Sequence, residues 1–483
     1  MIPKPSILWS RITRTVLAGA SLSLLSACMV GPDFQKPAPI SSTHYDRQAE
    51  QRLASRDVGD TPRISLDRNI DGDWWLAFRS AKLDGVMRKA IDGNLDLTAA
   101  DATIAQANEG VNAARGALRP QVDFGADGGR QGAGGSASSF YSVGPTVSFD
   151  FDIFGGKKRQ VEERAALSDL QRHRYDAAYL TLTGDVASQA LLLASARAQI
   201  EAVETLLAQD RKNFELVRAA HQFGSATQVD VALATTQLAQ DETLLPPLAQ
   251  QRDVARHALS VLSSKGPADW VAPDFDLTDF ALPADLPVSL PSEVARQRPD
   301  ILAAEAQLHA ASAAIGVATA DLYPRLQLTG GLGTAGPGIG TIWSIAGGLT
   351  APLFHGGTLK ANRRGAVDGY NASLADYRQT IIRSLGQVAD VLQGIQHDAD
   401  EYRAQQRALE AADANLKLAQ AGYRAGETGV LQVIDAQRAY QHALLGQIQA
   451  RTAQHLDTIQ LSVALGGNAS GAFAQRVATN DAR

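Results

Sequence analysis

The chain has 483 residues, 45% hydrophobic and 20% charged, enough apolar material for a core and enough to exclude wholesale disorder. Its 45 basic and 51 acidic residues leave a formal net charge of -6, the wrong sign for a nucleic-acid binder. The single cysteine, Cys28, excludes an internal disulfide framework and a Cys-based zinc site. The one continuously apolar stretch, near the N-terminus, is too short to span a bilayer as a helix, so a membrane role would have to come from β-strands.

Lys4, Arg11 and Arg14 precede an apolar run at 15–25, which reads as a signal peptide over 1–27. Leu25-Ser26-Ala27-Cys28 then resembles the lipobox of bacterial lipoproteins. It predicts cleavage before Cys28 and covalent lipid on Cys28; a plain signal peptide with an incidental cysteine is the alternative. Two or more acyl chains anchor stably. Met29, where an aspartate would signal inner-membrane retention, favours the outer membrane. Residues 31–72 read as irregular, within a lipid-anchored segment over 28–80.

From there the chain is written twice, as repeat 1 over 81–263 and repeat 2 over 301–466, with a tail over 467–483. NAARGALRPQVDFG (112–125) matches AIGVATADLYPRLQLTG (314–330), FDIFGGKKRQ (151–160) matches PLFHGGTLKAN (352–362), and FGSATQVDVALATTQL (223–238) matches RAGETGVLQVIDAQRAY (424–440). Each half reads helix, strand, glycine-rich turn, strand, long helix, glycine break, helix. Between the halves, Pro267, Pro273, Pro283, Pro287, Pro291 and Pro299 mark an irregular connector at 264–300.

Over 143–153, Val143, Pro145, Val147, Phe149, Phe151 and Ile153 alternate with Gly144, Thr146, Ser148, Asp150 and Asp152. In repeat 2, Leu326, Leu328 and Leu332 alternate with Gln327 and Thr329, and Trp343, Ile345, Leu349 and Leu353 mark the return strand. Period-two alternation predicts a sheet with one apolar and one polar face, and a buried sandwich would alternate similarly. Asp150 and Asp152 fall on the polar face.

No proline interrupts 155–244 or 354–483. Seam residues there, mostly apolar, step by three and four without a slip, from Tyr179, Leu182 and Val186 through Val203, Leu207 and Asp210 to Val217. The second series runs from Ile381, Ser384 and Val388 through Ile395 and Asp398 to Leu416 and Tyr423. Sustained heptads predict supercoiled helices. Some 65 residues of helix would run about 100 Å. Four strands per chain cannot close a barrel, and open edges cannot sit in lipid. Transmembrane strands would therefore require several chains.

CMVGPDFQKP after the lipobox, DWWLAFRSAKLDGVMRKAIDGNLDL (73–97), LRPQ, LYPRL, PLFHGGTLKAN and GYRAGETGVLQVIDAQRAY together cover nearly the whole mature chain in order. In this the sequence resembles the TolC/OprM-like outer-membrane efflux channels, in particular the lipoprotein subgroup serving RND-type pumps. His355 and Ser384-Leu385 depart from the usual pattern. The resemblance implies a mainly α fold with a membrane β-barrel portion and an internal two-fold repeat. Its long coiled-coil helices would form a trimeric α-barrel, beside a 12-stranded β-barrel shared by three chains, with the connector and terminal segments as an equatorial collar.

The resemblance also implies a passive duct that exports drugs or small toxic compounds, assembled as a homotrimer in outer-membrane lipid with a periplasmic adaptor (membrane fusion) protein and an inner-membrane RND-type pump. Cofactors are expected to be none beyond the lipid on Cys28. Gly224, Ser225, Ala226 and Thr227, with Gly426, Glu427, Thr428, Gly429 and Val430, become adaptor-contacting tips. Leu431, Asp435 and Arg438, spaced along one helix face, become a periplasmic gate together with Tyr423. A plain i,i+3 Asp435–Arg438 surface pair is the alternative. Asp150 and Asp152 would line the barrel lumen. A type I protein-secretion channel and a pore-less periplasmic tether are the competing functions.

Catalysis has little support. Gly331-x-Gly333-x-x-Gly336 fits a dinucleotide motif formally, but Pro337 follows where a helix should start, so it is expected at a loop tip. The nine histidines include no i,i+4 pair and are expected on the surface or in the lumen.

Overall fold

The computed structural model describes residues 29–38, 42–54, 63–66, 72–133, 136–336, 340–467, 469 and 471–474. The signal segment, Cys28, Pro337 and most of the tail lie outside the described residues. In chain order the elements are α1 (Arg47–Ala54), β1 (Arg63–Leu66), α2 (Ala81–Gly93), α3 (Leu95–Gly116), β2 (Gln121–Ala133), β3 (Ser136–Phe151), α4 (Gly156–Gln222), α5 (Gln228–Glu242), α6 (Leu245–Leu262), β4 (Asp285–Val288), α7 (Pro291–Gln297), α8 (Pro299–Ala320), β5 (Arg325–Gly336), β6 (Gly340–Thr350), α9 (Thr358–Ala425) and α10 (Val430–Ala464). The chain divides into two compact units.

The first unit, with 29–38, 101–172 and 302–380, holds one antiparallel sheet in the order β2-β3-β5-β6. Among the described residues, the outer edges of β2 and β6 pair with nothing. Val122, Phe124, Trp343, Ile345 and Leu349 are 68–74% exposed in the single chain, so an apolar face is left uncovered. The β3–β5 ladder skips Gly144 and Pro145 opposite Leu332 and Gly333. Pro145 has no N–H to give, and the backbones approach so closely there that a Cβ on Gly144 would overlap the Leu332 carbonyl. Gly331–Gly336 lies inside β5 rather than at a loop tip.

The same unit contains a strap that sequence patterns did not reveal. Val30 N–H donates to the Phe154 carbonyl at 3.0 Å. The buried Arg159 guanidinium donates to the Val30 and Gly31 carbonyls at 3.3 and 3.4 Å, to Asp33 at 2.6 Å and to Glu162 at 2.7 Å. Farther along, Phe34 stacks on His309 at 4.4 Å and Lys36 pairs with Glu305 at 2.7 Å. The strap thus joins α4 of repeat 1 to α8 of repeat 2. Gly31 sits against the Gly316 backbone with no room for a Cβ.

α8 is long and apolar enough to cross a membrane by length and composition, with a mean hydropathy of 1.3 in its most apolar window, 44% of it buried. Asp300, Glu305 and His309 interrupt its apolar run. It matches α3 in length and position within its repeat, at 22 residues each.

The second unit holds 42–100, 173–301 and 381–474 as far as they are described. The segment expected to be irregular contributes β1, which pairs in parallel with β4 of the connector. Trp74, Trp75, Phe78, Phe275 and Phe280 are buried, with Phe78 edge-on to Phe280 at 6.3 Å. Arg298 donates to Asp300 at 2.8 Å, to Gln387 at 3.0 Å and to the Ala464 carbonyl, and Ser384 donates to Asp300 at 3.3 Å. His455 is also buried, against the expectation for histidines, between the Arg451 and Phe280 carbonyls, and burial pushes its pKa down.

The two long helices have 67 and 68 residues. Leu182, Val186, Leu193, Val203, Leu207 and Val217 of α4 are buried, as are Ile381, Val388, Ile395 and Leu416 of α9. The heptad seam is therefore the buried face. The return passage of repeat 1 is split into α5 and α6 at Thr243-Leu244, whereas that of repeat 2 is one helix of 35 residues. Pro246 and Pro247 account for this, since two missing N–H groups are tolerated only in a first helical turn.

Candidate functional site

Both long helices of the second unit end in the same way. At the end of α4, Ser225 N–H donates to the Ala220 carbonyl at 2.9 Å and Gly224 N–H to the His221 carbonyl at 3.0 Å. At the end of α9, Glu427 N–H donates to Gly422 at 2.9 Å and Gly426 N–H to Tyr423 at 3.1 Å. These are Schellman caps, and they need a left-handed residue. Gly224 and Gly426 supply it at φ 74° and 77°. Thr227 then opens α5 with a capping box: its hydroxyl accepts from Asp230 N–H at 3.2 Å while its own N–H donates to the Asp230 carboxylate at 2.8 Å. The Thr227 N–H and the Thr227 hydroxyl, each donating to the Asp230 carboxylate at 2.8 Å, hold that carboxyl below its usual range. Gly429 caps α10 without a side chain.

Of the nine tip residues, Gly224, Ser225, Thr227, Gly426, Glu427 and Gly429 are exposed, and Ala226 and Thr428 partly so. Val430 is a correction. It is 7% exposed and packs with Val217, Ala234 and Ile434, so its side chain is unavailable to a partner. Tyr423 packs against the same cluster from α9.

Leu431 is 48% exposed, and Asp435 and Arg438 are exposed along the same helix. The local Asp435–Arg438 pair does not form. Arg438 instead reaches across to α5, donating from Nε to Gln237 and from Nη2 to Gln240 at 3.2 Å. Asp435 bonds to no side chain among the described residues.

Beside Arg438 lies a buried polar layer that sequence reasoning missed. Asp210, Gln237, Asp241 and Gln437 are each at most 4% exposed. Gln437 receives Asn213 on its oxygen at 3.0 Å and donates its amide to Asp210. Gln237 and Gln441 donate to the two oxygens of Asp241 at 2.7 and 2.9 Å. Burial, with Asp241 beside it, pushes the Asp210 carboxyl up to about 8. A signal existed: Asp210 occupies a heptad seam position, where a carboxylate is costly unless partnered or protonated.

Asp150 and Asp152 are placed at the start of α4. β3 ends at Phe151, so Asp152 lies beyond the strand, and its carboxylate accepts the Lys157 and Lys158 N–H groups at 2.9 Å each. Asp150 pairs with the Lys157 ammonium at 3.2 Å. An anion at a helix N-terminus satisfies otherwise orphaned donors.

The repeated caps and the four-stranded sheet set the frame for comparison with known proteins. The family model "Outer membrane efflux protein" matches residues 86–263 and 290–467, once per repeat. The chain belongs to this family. It is an outer-membrane efflux channel that extends into the periplasm, a transport duct and not an enzyme. It is 30% identical to the pyoverdine export outer membrane protein OpmQ of Pseudomonas aeruginosa over 92% of this chain and 96% of that one. The toluene efflux pump outer membrane protein TtgF of Pseudomonas putida is 29% identical, over 92% and 94%. Among solved structures, the outer-membrane channel OprN superposes with a TM-score of 0.83 at 26% identity, covering 91% of this chain and 99% of that one. The open state of the MtrE channel of Neisseria gonorrhoeae gives 0.80 at 25%, covering 92% and 99%. The fold these channels share is mainly α with a membrane β-barrel portion and an internal two-fold repeat.

Proposed function

We propose that three copies of this chain form the exit duct of a tripartite export system driven by an RND-type pump through a periplasmic adaptor. The observation that carries this reading is the four-stranded sheet with both edges unpaired and an apolar face uncovered. In lipid every backbone group must be paired, and three such sheets joined edge to edge give a closed twelve-stranded barrel. The names of OpmQ and TtgF, which give pyoverdine export and toluene efflux, point to a small organic cargo. The exposed tips at Gly224–Thr227 and Gly426–Gly429 are the adaptor contacts, and Leu431, Asp435 and Arg438, braced by Tyr423, narrow the periplasmic end.

The test is mass and conduction together. Detergent-extracted protein should carry the protein mass of three chains and conduct ions in planar bilayers. A monomer that conducts would end the trimer argument. Deleting the gene should sensitise cells to the cargo, and supplying it back should restore resistance.

The lipid belongs to the same proposal. LSAC at 25–28 supports acylation of Cys28. The mature protein is expected to begin at Cys28 and to incorporate labelled palmitate, and Cys28→Ala should abolish the label with only partial loss from the outer membrane, because the barrel inserts independently. An unmodified Cys28 in the mature protein, found by mass spectrometry, would refute the anchor.

A further inference from the structure

The buried layer beside the gate allows one proton to be assigned from geometry. Gln437 receives Asn213 on its oxygen, so its amide nitrogen must face Asp210 Oδ1 as donor. Arg438 donates to the oxygen of Gln237, so the Gln237 amide nitrogen must face Asp241 Oδ2 as donor. Gln441 supplies Asp241 Oδ1 in the same way. Both oxygens of Asp241 are thus acceptors, as is one oxygen of Asp210. What remains is Asp210 Oδ2, buried and without a hydrogen-bond partner, on a side chain whose neighbour is the Asp241 carboxyl. Two neighbouring carboxylates in a buried site cannot both ionise, so Asp210 Oδ2 is the oxygen left to carry a proton.

We propose that Asp210 and Asp241 share this proton as a latch that holds α4, α5 and α10 together behind the gate residue Arg438 and releases them when the proton leaves. The proposal deepens the gate reading above and rests on it. The chain of bonds runs from Arg438 through Gln237 and Asp241 to Asp210 and Gln437, so α10 is tied to α4 and α5 through the shared proton. The other charged groups close by are the Arg211–Glu242 pair between α4 and α5, at 3.3 Å, and Arg438 itself. α9 presents the phenol of Tyr423. No Lys or Arg among the described residues bonds to either carboxylate. A cavity of about 30 Å³, lined by Asp210, Gln237, Gln437 and Tyr423, has room for one water beside Asp210 to exchange the proton.

The sign follows from the raised Asp210 pKa. Its ordinary value is 3.8 and burial with Asp241 brings it to about 8. The latch is therefore fully made below about pH 4 and is lost as pH rises through about 8. Opening, in which water reaches the carboxyls, is favoured on the alkaline side.

The experiment records open probability of the full acylated trimer in planar bilayers between about pH 6 and pH 9. One proton per chain gives a change of up to about tenfold per pH unit near the transition. The wild type should open progressively across that range. Asp210→Asn should stay closed and pH-independent, because its amide oxygen still accepts from Gln437 and its NH₂ replaces the proton toward Asp241. Asp241→Asn should instead weaken closure at every pH, since it turns an NH₂ toward a donor amide. Asp457 is the second buried acid raised this way, to about 7 beside Asp398, so Asp457→Asn is the control and should leave the transition in place.

A wild-type pH profile retained in Asp210→Asn, or a profile abolished by Asp457→Asn, would overturn the latch. Infrared spectra provide a second reading that does not depend on the variant channel assembling well. In the Asp457→Asn background a protonated-carboxyl band should persist at neutral pH and disappear above about pH 8, and its absence at neutral pH also overturns the proposal. The Leu431/Asp435 variant separates the two readings: if it changes conductance while Asp210→Asn keeps the wild-type profile, only the latch fails.

Discussion

Replacing Leu431 and Asp435 together by alanine is expected to raise single-channel conductance several-fold in planar bilayers and to sensitise cells to large antibiotics such as vancomycin. Leu431 is 48% exposed in the single chain and Asp435 follows four residues on, so the two project from the same face of α10. Three leucines meeting at an axis would plug it, and shortening them opens space. Three like-charged Asp435 carboxylates would repel across an axis unless tied to neighbouring helices. Among the described residues no side chain engages Asp435, and Arg438 is committed to Gln237 and Gln240, which leaves the carboxylate available to a neighbouring chain. Each charge-assisted tie removed is worth about 1.5–3 kcal/mol. Losing three by symmetry moves a two-state gate far enough to change which state dominates. The control is the same change at Leu193, which is fully buried, and Ile200. That pair should cost stability, at about 2–5 kcal/mol for Leu193, without widening anything. Unchanged conductance in a correctly assembled Leu431/Asp435 variant would place the constriction elsewhere.

The second large effect is expected at Arg159. Alanine there removes a guanidinium that bonds to Glu162, Asp33 and two strap carbonyls from a nearly fully buried position. Hydrogen bonds to charged groups are worth about 1.5–3 kcal/mol each, at the low end for Asp33, which is 83% exposed and stays hydrated when the guanidinium goes. The assembled channel should dissociate on the order of 10 °C lower in heated SDS gels, and protease should cut within 29–38. Lysine should rescue poorly, because it offers a point charge where the strap uses a forked donor. Wild-type heat resistance and an uncut strap in Arg159→Ala would show that the strap is incidental.

The parts of this protein that were readable in the sequence are those governed by local pattern. Heptads from Tyr179 to Val217 and from Ile381 to Tyr423 predicted long helices, because a step of three and four is the repeat of a helix face. Gly224 and Gly426 stood out because a left-handed cap tolerates little else. The strands showed through period-two alternation, and their number, four, requires more than one chain if they cross lipid.

Tertiary structure alone decided the rest. Arg159 is bound to residues more than 120 positions earlier in an apparently irregular segment. Arg438 is bound to Gln237, 201 positions away, rather than to Asp435 on its own helix. Val430, read as a tip contact, turned inward, and Asp152 proved to be a helix cap instead of a strand residue. Asp210 was visible as an acid in an apolar seam, but not that Asp241 of another helix would meet it and share its proton. Periodicity and backbone preference act over a few residues and are written into any short window. Pairing, burial and protonation depend on which distant side chains packing brings together, and no short window of the sequence contains both partners.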